Sequence, residues 1–253
     1  MNATVEEALS SVLQAPPWQS SADDLRATDC SIVAGQAMAD WAGVAPGAWT
    51  DFADYWNRLT LDRFMGDGGT YRLRRYGQFE TDSDGQLRQL PHSAYEQASS
   101  INRLNGGIAR VFDPLEPGFA RHTVLHRVLD VLTHIVNAVE GRAWTWNVKL
   151  HPYRILAAAG VAGQPTPEGL HRDGVDYVVS MLVKRANVVG GESAMTDADR
   201  RPLGCVTLMD PMHMLILNDA NTLHAVTPVV PRNPQAPAYR DVLVIAFEKV
   251  RGS

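Results

Sequence analysis

The spacing of apolar residues divides this chain into a helical beginning and a long succession of short strands. Residues 1–65 are predicted to be mostly helical, starting with a helix over residues 5–13. The clearest helical pattern covers about residues 121–139, where apolar side chains recur every three or four positions and Gly141 follows as a terminator. From residue 70 onward, short runs of strand-forming residues are separated by turns rich in Gly, Pro and Asn.

This order of elements predicts a mainly β protein with helical additions. Residues 70–253 are predicted to supply the strands of a β-sandwich, beginning with a strand over residues 70–79, and the helix at about 121–139 is expected to brace one sheet from outside. No linker-like stretch interrupts the pattern. We therefore expect residues 1–253 to form a single domain.

Composition narrows the class of protein. The chain has 253 residues, 45% of them hydrophobic, a formal net charge of −5 and no basic patch, so nucleic acid is an unexpected partner. The only two cysteines, Cys30 and Cys205, are far apart in the sequence, which argues against a structural disulfide and fits a reducing cytoplasm. No apolar run approaches a membrane span and the first residues lack a secretory pattern, so we expect a cytoplasmic protein without a membrane partner.

Candidate metal ligands lie in the second half of the chain. His171 and Asp173 are two residues apart, and His224 follows at a distance. On an extended strand, residues i and i+2 project from the same face, so His171 and Asp173 could bind one ion. Two histidines and one carboxylate are the protein ligands of the facial triad that holds non-haem Fe(II).

The surrounding sequence makes this pattern more specific than the tripeptide alone. A run of strand formers covers residues 177–183, a turn over residues 218–221 precedes His224, and Arg240 opens a strand over residues 242–247. An arginine at that position could hold a dicarboxylate co-substrate by a two-pronged ion pair.

Other interpretations of these residues stay open at this point. The three ligands could be ordinary polar residues at strand ends, and a zinc hydrolase can also use two His and one carboxylate. Arg240 could instead pair with Asp241 or Glu248, although Asp241 should face the other side of the strand. His122, His126 and His134 on the long helix are expected to be surface or packing residues.

Several segments together resemble the Fe(II)/2-oxoglutarate-dependent dioxygenases. More narrowly, they resemble the bacterial isoleucine 4-hydroxylase family, which acts on free aliphatic amino acids. The resemblance extends from about residue 51 to residue 250 and is weakest over the first fifty residues. The segments that carry it cover residues 71–76, 151–155, 167–176, 187–193 and 239–243.

The resemblance implies a double-stranded β-helix (jelly-roll) core braced by helices. It implies that His171, Asp173 and His224 bind Fe(II) and are catalytic, and that Arg240 binds 2-oxoglutarate, with O₂ as the second co-substrate. The implied reaction is hydroxylation of a small free L-amino acid, preferably an aliphatic one, with release of succinate and CO₂. Related halogenases have a small residue in place of Asp173, so hydroxylation is expected here; sulfoxidation and desaturation stay open.

Contacts to the substrate are predicted from its charges. The carboxylate of a free amino acid needs a cation, and Arg74 and Arg154 are candidates that could equally be structural. Tyr153 could close the pocket, and His151 could supply a polar contact near the iron. Two alternatives remain: a dioxygenase acting on a peptide, carrier-tethered or natural-product substrate, and a non-catalytic jelly roll that senses a ligand. The sequence predicts no oligomeric state.

Overall fold

The computed structural model describes residues 15–82, 85–97 and 106–251. The helix predicted over residues 5–13 lies outside these ranges. Within the described part of the first 65 residues, two strands accompany the helices, and the sequence pattern did not predict them. The elements of this part are α1 (Gln19–Thr28), β1 (Cys30–Val33), α2 (Gly35–Trp41), α3 (Pro46–Ala53), a 3₁₀ helix (Asp54–Arg58) and β2 (Thr60–Leu61).

The rest of the described chain is mostly strand. Two helices, α4 (Pro117–Ala120) and α5 (Thr123–Glu140), separate the first strands from the later ones. The strands are β3 (Arg72–Arg74), β4 (Gly77–Thr81), β5 (Leu87–Gln89), β6 (Trp146–Ala157), β7 (Tyr177–Ala186), β8 (Val188–Gly190), β9 (Glu192–Asp197), β10 (Pro202–Thr207), β11 (Met214–Asn218), β12 (Thr222–Val226), β13 (Val229–Pro231) and β14 (Ala238–Lys249).

The strand predicted over residues 70–79 is divided into β3 and β4. Tyr76 leaves the sheet between them and pairs with another segment, since its N–H donates to the carbonyl of Asp113 (3.0 Å) and its carbonyl accepts from Leu115 (3.2 Å). The alternation of side chains indicated strand correctly at both ends. It could not show that a distant segment competes for the hydrogen bonds of Tyr76.

A nine-stranded antiparallel sheet forms the centre of the structure. Its strand order is β1-β11-β7-β14-β6-β3-β2, with β4 also paired to β6 and β5 to β4. A three-stranded sheet (β10-β9-β12) and a two-stranded sheet (β13-β8) complete the β structure of the described residues. The mainly β architecture with helical additions is therefore confirmed.

The two faces of the large sheet bury different residues. On one face, Leu243, Ile245 and Phe247 of β14 pack with the helices in the largest apolar cluster. Alternate residues of the same strand, Arg240 and Val242 among them, project to the opposite face. The sheet thus separates an apolar core from a face that carries polar side chains.

Helix α5 follows the predicted apolar stripe closely. Seven of its core-facing residues are buried to within 2% exposure: Val124, Leu125, Val128, Leu129, Leu132, Ile135 and Val136. Gly141 ends the helix in the left-handed conformation (φ 69°), as its position predicted. In the described part of the chain, no helix is long and apolar enough to cross a membrane.

The three histidines of this region have local structural contacts. His122 precedes α5 and its Nδ1 accepts from the N–H of Val124 (3.2 Å). His126 donates to the carbonyl of Ala120 (2.8 Å), and His134 to that of Asp130 (2.8 Å). These contacts account for the three side chains as capping and packing groups.

Candidate functional site

His171 and His224 are brought together by the backbone. His224 lies in β12, and His171 forms a single antiparallel bridge with it: the N–H of each residue donates to the carbonyl of the other (3.0 and 2.8 Å). The two imidazole rings are consequently close, with centroids 4.4 Å apart. The long separation in sequence is closed by one pair of main-chain hydrogen bonds.

Asp173 is positioned by a loop, which corrects the expectation of an extended strand over His171 and Asp173. The buried carboxylate of Asp219 accepts hydrogen bonds from the N–H groups of Asp173 (2.9 Å), Gly174 (2.7 Å) and Val175 (3.0 Å). Gly174 has φ 81°, a conformation that favours glycine. The turn fixed by Asp219 directs the Asp173 side chain toward the two histidines.

The three side chains converge on one point. Asp173 Oδ2 lies 3.7 Å from His224 Nε2, and Asp173 Oδ1 lies 4.0 Å from His171 Nε2. One donor atom from each residue lies within 4.8 Å of the others. This cluster of two imidazoles and one carboxylate has the donor set of the Fe(II) facial triad, with its donor atoms close enough together to hold one metal ion.

Hydrogen bonding and burial prepare the imidazoles for a metal. His171 Nδ1 donates to the carbonyl of Gly169 (3.0 Å), which fixes the ring so that Nε2 faces Asp173. Burial and the neighbouring His171 lower the pKa of His224 to about 3, so this ring is neutral at ordinary pH. His224 Nδ1 is buried and has no hydrogen-bond partner among the described residues. These features fit a metal site.

Arg240 extends into the same pocket from β14. It is 2% exposed, and its Nε and Nη2 atoms have no hydrogen-bond partner in the described ranges. Burial, with a contribution from Arg185, lowers the pKa of Arg240 to about 10. A buried cation without a counter-ion is energetically costly unless a ligand supplies the negative charge.

The alternative of a structural ion pair for Arg240 is not what the structure shows. Asp241 faces the opposite side of β14 and binds Arg154 through two contacts of 2.7 Å. Glu248 instead accepts from Lys149 at 2.6 Å. Both carboxylates proposed as partners of Arg240 are thus engaged elsewhere.

The same geometry corrects the prediction that Arg154 contacts the substrate. Its guanidinium group binds Asp241, and its side chain does not line the pocket that contains the His–Asp–His cluster. The reason is the alternation of β6: His151 and Tyr153 share one face, so Arg154 must project from the other.

Arg74, His151 and Tyr153, the other predicted substrate contacts, line the pocket. Arg74 is 2% exposed, and its Nη2 donates to His151 Nδ1 at 2.5 Å. Burial and the charge of Arg74 hold the pKa of His151 well below its usual range, so the ring accepts this hydrogen bond in its neutral form. Tyr153 stacks on His151, with ring centroids 5.9 Å apart.

The pocket itself contains about 870 Å³ of space, part of it open to solvent. Helices α1 to α3 supply none of the described lining residues. The pocket is lined by Arg72, Arg74, Tyr95, Gln97, Arg110, His151, Tyr153, Ile155, Pro165, Thr166, Glu168, His171, Asp173, Ser180, His224, Val226, Arg240, Val242, Val244 and Ala246.

Sequence reasoning missed several residues of the site. Arg110 and Tyr95 lie in an irregular segment where only a two-residue backbone bridge joins them, so no periodic pattern marks them. Glu168 lies near the cluster, with Oε1 3.7 Å from His171 Nε2 and Oε2 buried without a hydrogen-bond partner in the described part of the chain. Its position three residues before His171 was the one available signal.

A His–Asp–His cluster beside an unpaired buried arginine is typical of the Fe(II)/2-oxoglutarate oxygenases. Residues 53–246 match the family model described as 2OG-Fe dioxygenase, and the chain belongs to that family. It is therefore a 2-oxoglutarate-dependent dioxygenase that uses Fe(II), 2-oxoglutarate and O₂. Neither a zinc hydrolase nor a non-catalytic sensor agrees with this membership.

Individual relatives agree with the family. The chain is 29% identical to the 3(1)-hydroxy-L-isoleucine 4-dioxygenase of Pantoea ananatis. The matched stretch of 181 residues covers 70% of this chain and 73% of that protein. A bsmA homolog from Methylobium petroleophilum has a crystal structure that is 33% identical and covers 94% of this chain and 95% of its own, with a TM-score of 0.84. IDO from Bacillus thuringiensis shares the fold at 17% identity, covering 92% and 99%, with a TM-score of 0.77. The resemblance to isoleucine hydroxylases is thereby confirmed.

Proposed function

We propose that this dioxygenase hydroxylates a small free L-amino acid, preferably an aliphatic one, and releases succinate and CO₂. The observation that carries this proposal is a single pocket in which the His–Asp–His cluster, the unpaired Arg240 and further buried arginines all converge. The name of the Pantoea relative, which specifies a hydroxylated isoleucine, supports the same substrate class.

In this proposal, His171, Asp173 and His224 hold the iron, and all three are catalytic residues. When bound, Fe(II) and 2-oxoglutarate supply the activation of O₂ for oxidation of the substrate. Arg240 binds the distal carboxylate of 2-oxoglutarate through the atoms that otherwise lack a partner. Asp219 keeps Asp173 in place through the three backbone hydrogen bonds.

The walls of the pocket suit a short aliphatic side chain. Arg74 is proposed to bind the substrate carboxylate, with its guanidinium held by His151 and lying 4.6 Å from the Tyr153 ring. Apolar side chains on the same inner face of the sheet exclude water from the rest of the substrate. These are Ile155, Val242, Val244 and Ala246, with Val226 from β12 opposite.

We also propose that the strands form a jelly-roll core within one domain. The large sheet is supported by α5 on one face, and the smaller sheets carry His224 and the residues around Gly190. The apolar cluster of Val178, Leu182, Leu215 and Val242 with Met195 of β9 joins the large sheet to the three-stranded one. This contact supports two sheets packed across a shared interior.

The test is turnover with a panel of substrates. The protein is prepared anaerobically with Fe(II) and 2-oxoglutarate, then exposed to O₂ with each free L-amino acid in turn. We expect an aliphatic amino acid to give succinate and a product heavier by one oxygen atom. Succinate formation with peptides or carrier-bound residues but with no free amino acid would refute the proposal in favour of a tethered substrate.

A further inference from the structure

Two buried arginines besides Arg240 face the pocket and have an unused donor. Arg74 and Arg110 are 2% and 3% exposed, and the Nε atom of each has no hydrogen-bond partner among the described residues. Arg72, the other arginine in the lining, is neutralised by Asp62, with contacts of 2.7 and 2.8 Å. Besides Arg240, Arg74 and Arg110 are therefore the cations that the pocket presents to a ligand.

The two guanidinium groups surround the same pair of aromatic rings. The Arg74 Cζ atom lies 3.6 Å from the centre of Phe112 and 5.8 Å from that of Tyr95. Arg110 Cζ lies 4.8 Å from Tyr95 and 5.9 Å from Phe112. Both cations therefore lie against the same aromatic rings, which places them near each other in the pocket as candidates to bind one carboxylate.

Neither cation is matched by a close carboxylate of the described chain. Arg74 Nη1 is 3.8 Å from Asp62 Oδ2, but that oxygen already binds Arg72 at 2.7 Å. Arg110 Nη2 donates to the neutral side-chain amide of Gln97 at 2.8 Å. Two buried like charges with only neutral or shared partners form a site that gains most from an anionic ligand.

The same pocket contains an acceptor of the opposite charge. Glu168 Oε2 is buried without a hydrogen-bond partner in the described ranges, and the side chain is 15% exposed. The carboxylate lies beside the proposed metal ligands, since Oε1 is 3.7 Å from His171 Nε2. An ammonium group would satisfy the orphaned oxygen by a charge-assisted hydrogen bond.

We infer that Arg110, together with Arg74, binds the α-carboxylate of the substrate, and that Glu168 accepts a hydrogen bond from its α-ammonium group. This assignment rests on the proposed function and refines it: the substrate class is the α-amino acid with both groups unmodified. Amides, N-acyl derivatives and peptide-linked residues lose one or both ionic contacts. Arg110 and Glu168 are thus specificity-determining residues.

The inference is tested by binding rather than turnover. The anaerobic enzyme with Fe(II) and 2-oxoglutarate is titrated calorimetrically with three ligands. L-Isoleucine has both charged groups, L-isoleucinamide lacks the carboxylate, and 3-methylpentanoate lacks the amine. If L-leucine binds more tightly than L-isoleucine, the same titrations are done with L-leucine, its amide and its deamino acid. The parent amino acid is expected to bind at least about 10-fold more tightly than either analogue, as the loss of one charge-assisted hydrogen bond predicts.

Variants assign each preference to a residue. Arg110→Lys should weaken binding of the amino acid by about 10- to 100-fold while changing binding of the amide much less. Glu168→Gln should weaken the amino acid similarly but leave 3-methylpentanoate unaffected. The matched controls are Arg201→Lys and Glu80→Gln. In the wild type the Arg201 side chain is 75% exposed and Glu80 pairs with Arg88 outside the pocket, so both variants should bind the ligands as the wild type does.

The outcomes separate this inference from the proposed function. If free amino acids are hydroxylated but the analogues bind as tightly as the parent, or the two variants bind all probes like wild type, the inference is wrong and the function stands. If Glu168→Gln loses Fe(II), measured with a chromogenic chelator, Glu168 belongs to the metal site and its ammonium role is refuted. If no free amino acid binds or is oxidised, the proposed function itself fails.

Discussion

Replacing Arg240 by Met is expected to stabilise the protein without 2-oxoglutarate and to impair its use of that co-substrate. Methionine keeps much of the length of the side chain and removes a cation that is 2% exposed and has two unpartnered nitrogen atoms among the described residues. Burial, with a contribution from Arg185, lowers the pKa of Arg240 from its ordinary value to about 10. Since a tenfold change in an acidity constant equals about 1.4 kcal/mol, the charged form costs the folded protein on the order of 3 kcal/mol.

The assay is thermal unfolding of the wild type and the variant, first without metal or 2-oxoglutarate and then with both present. For a chain of this length, about 3 kcal/mol corresponds to a melting temperature roughly 6–12 °C higher for Arg240→Met. With Fe(II) and saturating 2-oxoglutarate, the wild type should gain stability and the variant little, because the proposed contact with the distal carboxylate exists only in the wild type. The variant should also need a higher 2-oxoglutarate concentration for turnover.

The pH dependence follows from the direction of the shift. Both the folded and the unfolded chain carry the charge below about pH 10, so the penalty is fully present there. It is relieved as the pH rises above about 10, because the folded state then loses the proton before the unfolded state does. The control is Arg201→Met, at an exposed side chain, which should leave the melting temperature almost unchanged. An Arg240→Met variant that melts at or below the wild type without ligand would refute the reasoning.

Three further substitutions test the positions of single carboxylates. Asp173→Ala should abolish hydroxylation and lower the iron content, and undiminished succinate release would contradict its role as a ligand. Asp219→Asn removes the charged acceptor of three backbone N–H groups and should weaken Fe(II) binding by about 10- to 100-fold in a metal titration, whereas wild-type affinity would contradict its role in holding the loop. Asp241→Asn removes the buried negative charge that pairs with Arg154 and should lower the free energy of unfolding by about 3 kcal/mol in denaturant. It should leave the substrate KM unchanged because the pair lies away from the pocket, and a changed KM would contradict this placement.

The sequence predicted the His–Asp–His cluster and Arg240 because their order along the chain carries the chemistry. The reason that His171 and Asp173 approach each other was different from the one expected. A loop held by Asp219 positions Asp173, and Asp219 lies 46 residues away, where no local pattern connects the two. Spacing can therefore indicate a site while leaving its structural cause unknown.

The prediction of Arg154 failed for a reason that the sequence contained. His151, Tyr153 and Arg154 were all proposed as substrate contacts, yet neighbouring residues of a strand face opposite sides. Arg110 and Glu168 were missed for a different reason. They lie outside regular strands, so their direction depends on tertiary contacts, such as the bridge between Arg110 and Tyr95, that no periodicity reveals.

The main-chain pairing of His171 with His224 holds the two imidazoles together without the help of a metal ion. The carboxylate of Asp173 comes from a turn that different hydrogen bonds hold, so replacing this third ligand need not disturb the pairing of the two histidines. The local fold therefore does not depend on which residue supplies the third ligand. Descendants or designed versions of this enzyme could accept a different anion in place of the Asp173 carboxylate while keeping the same pair of histidines.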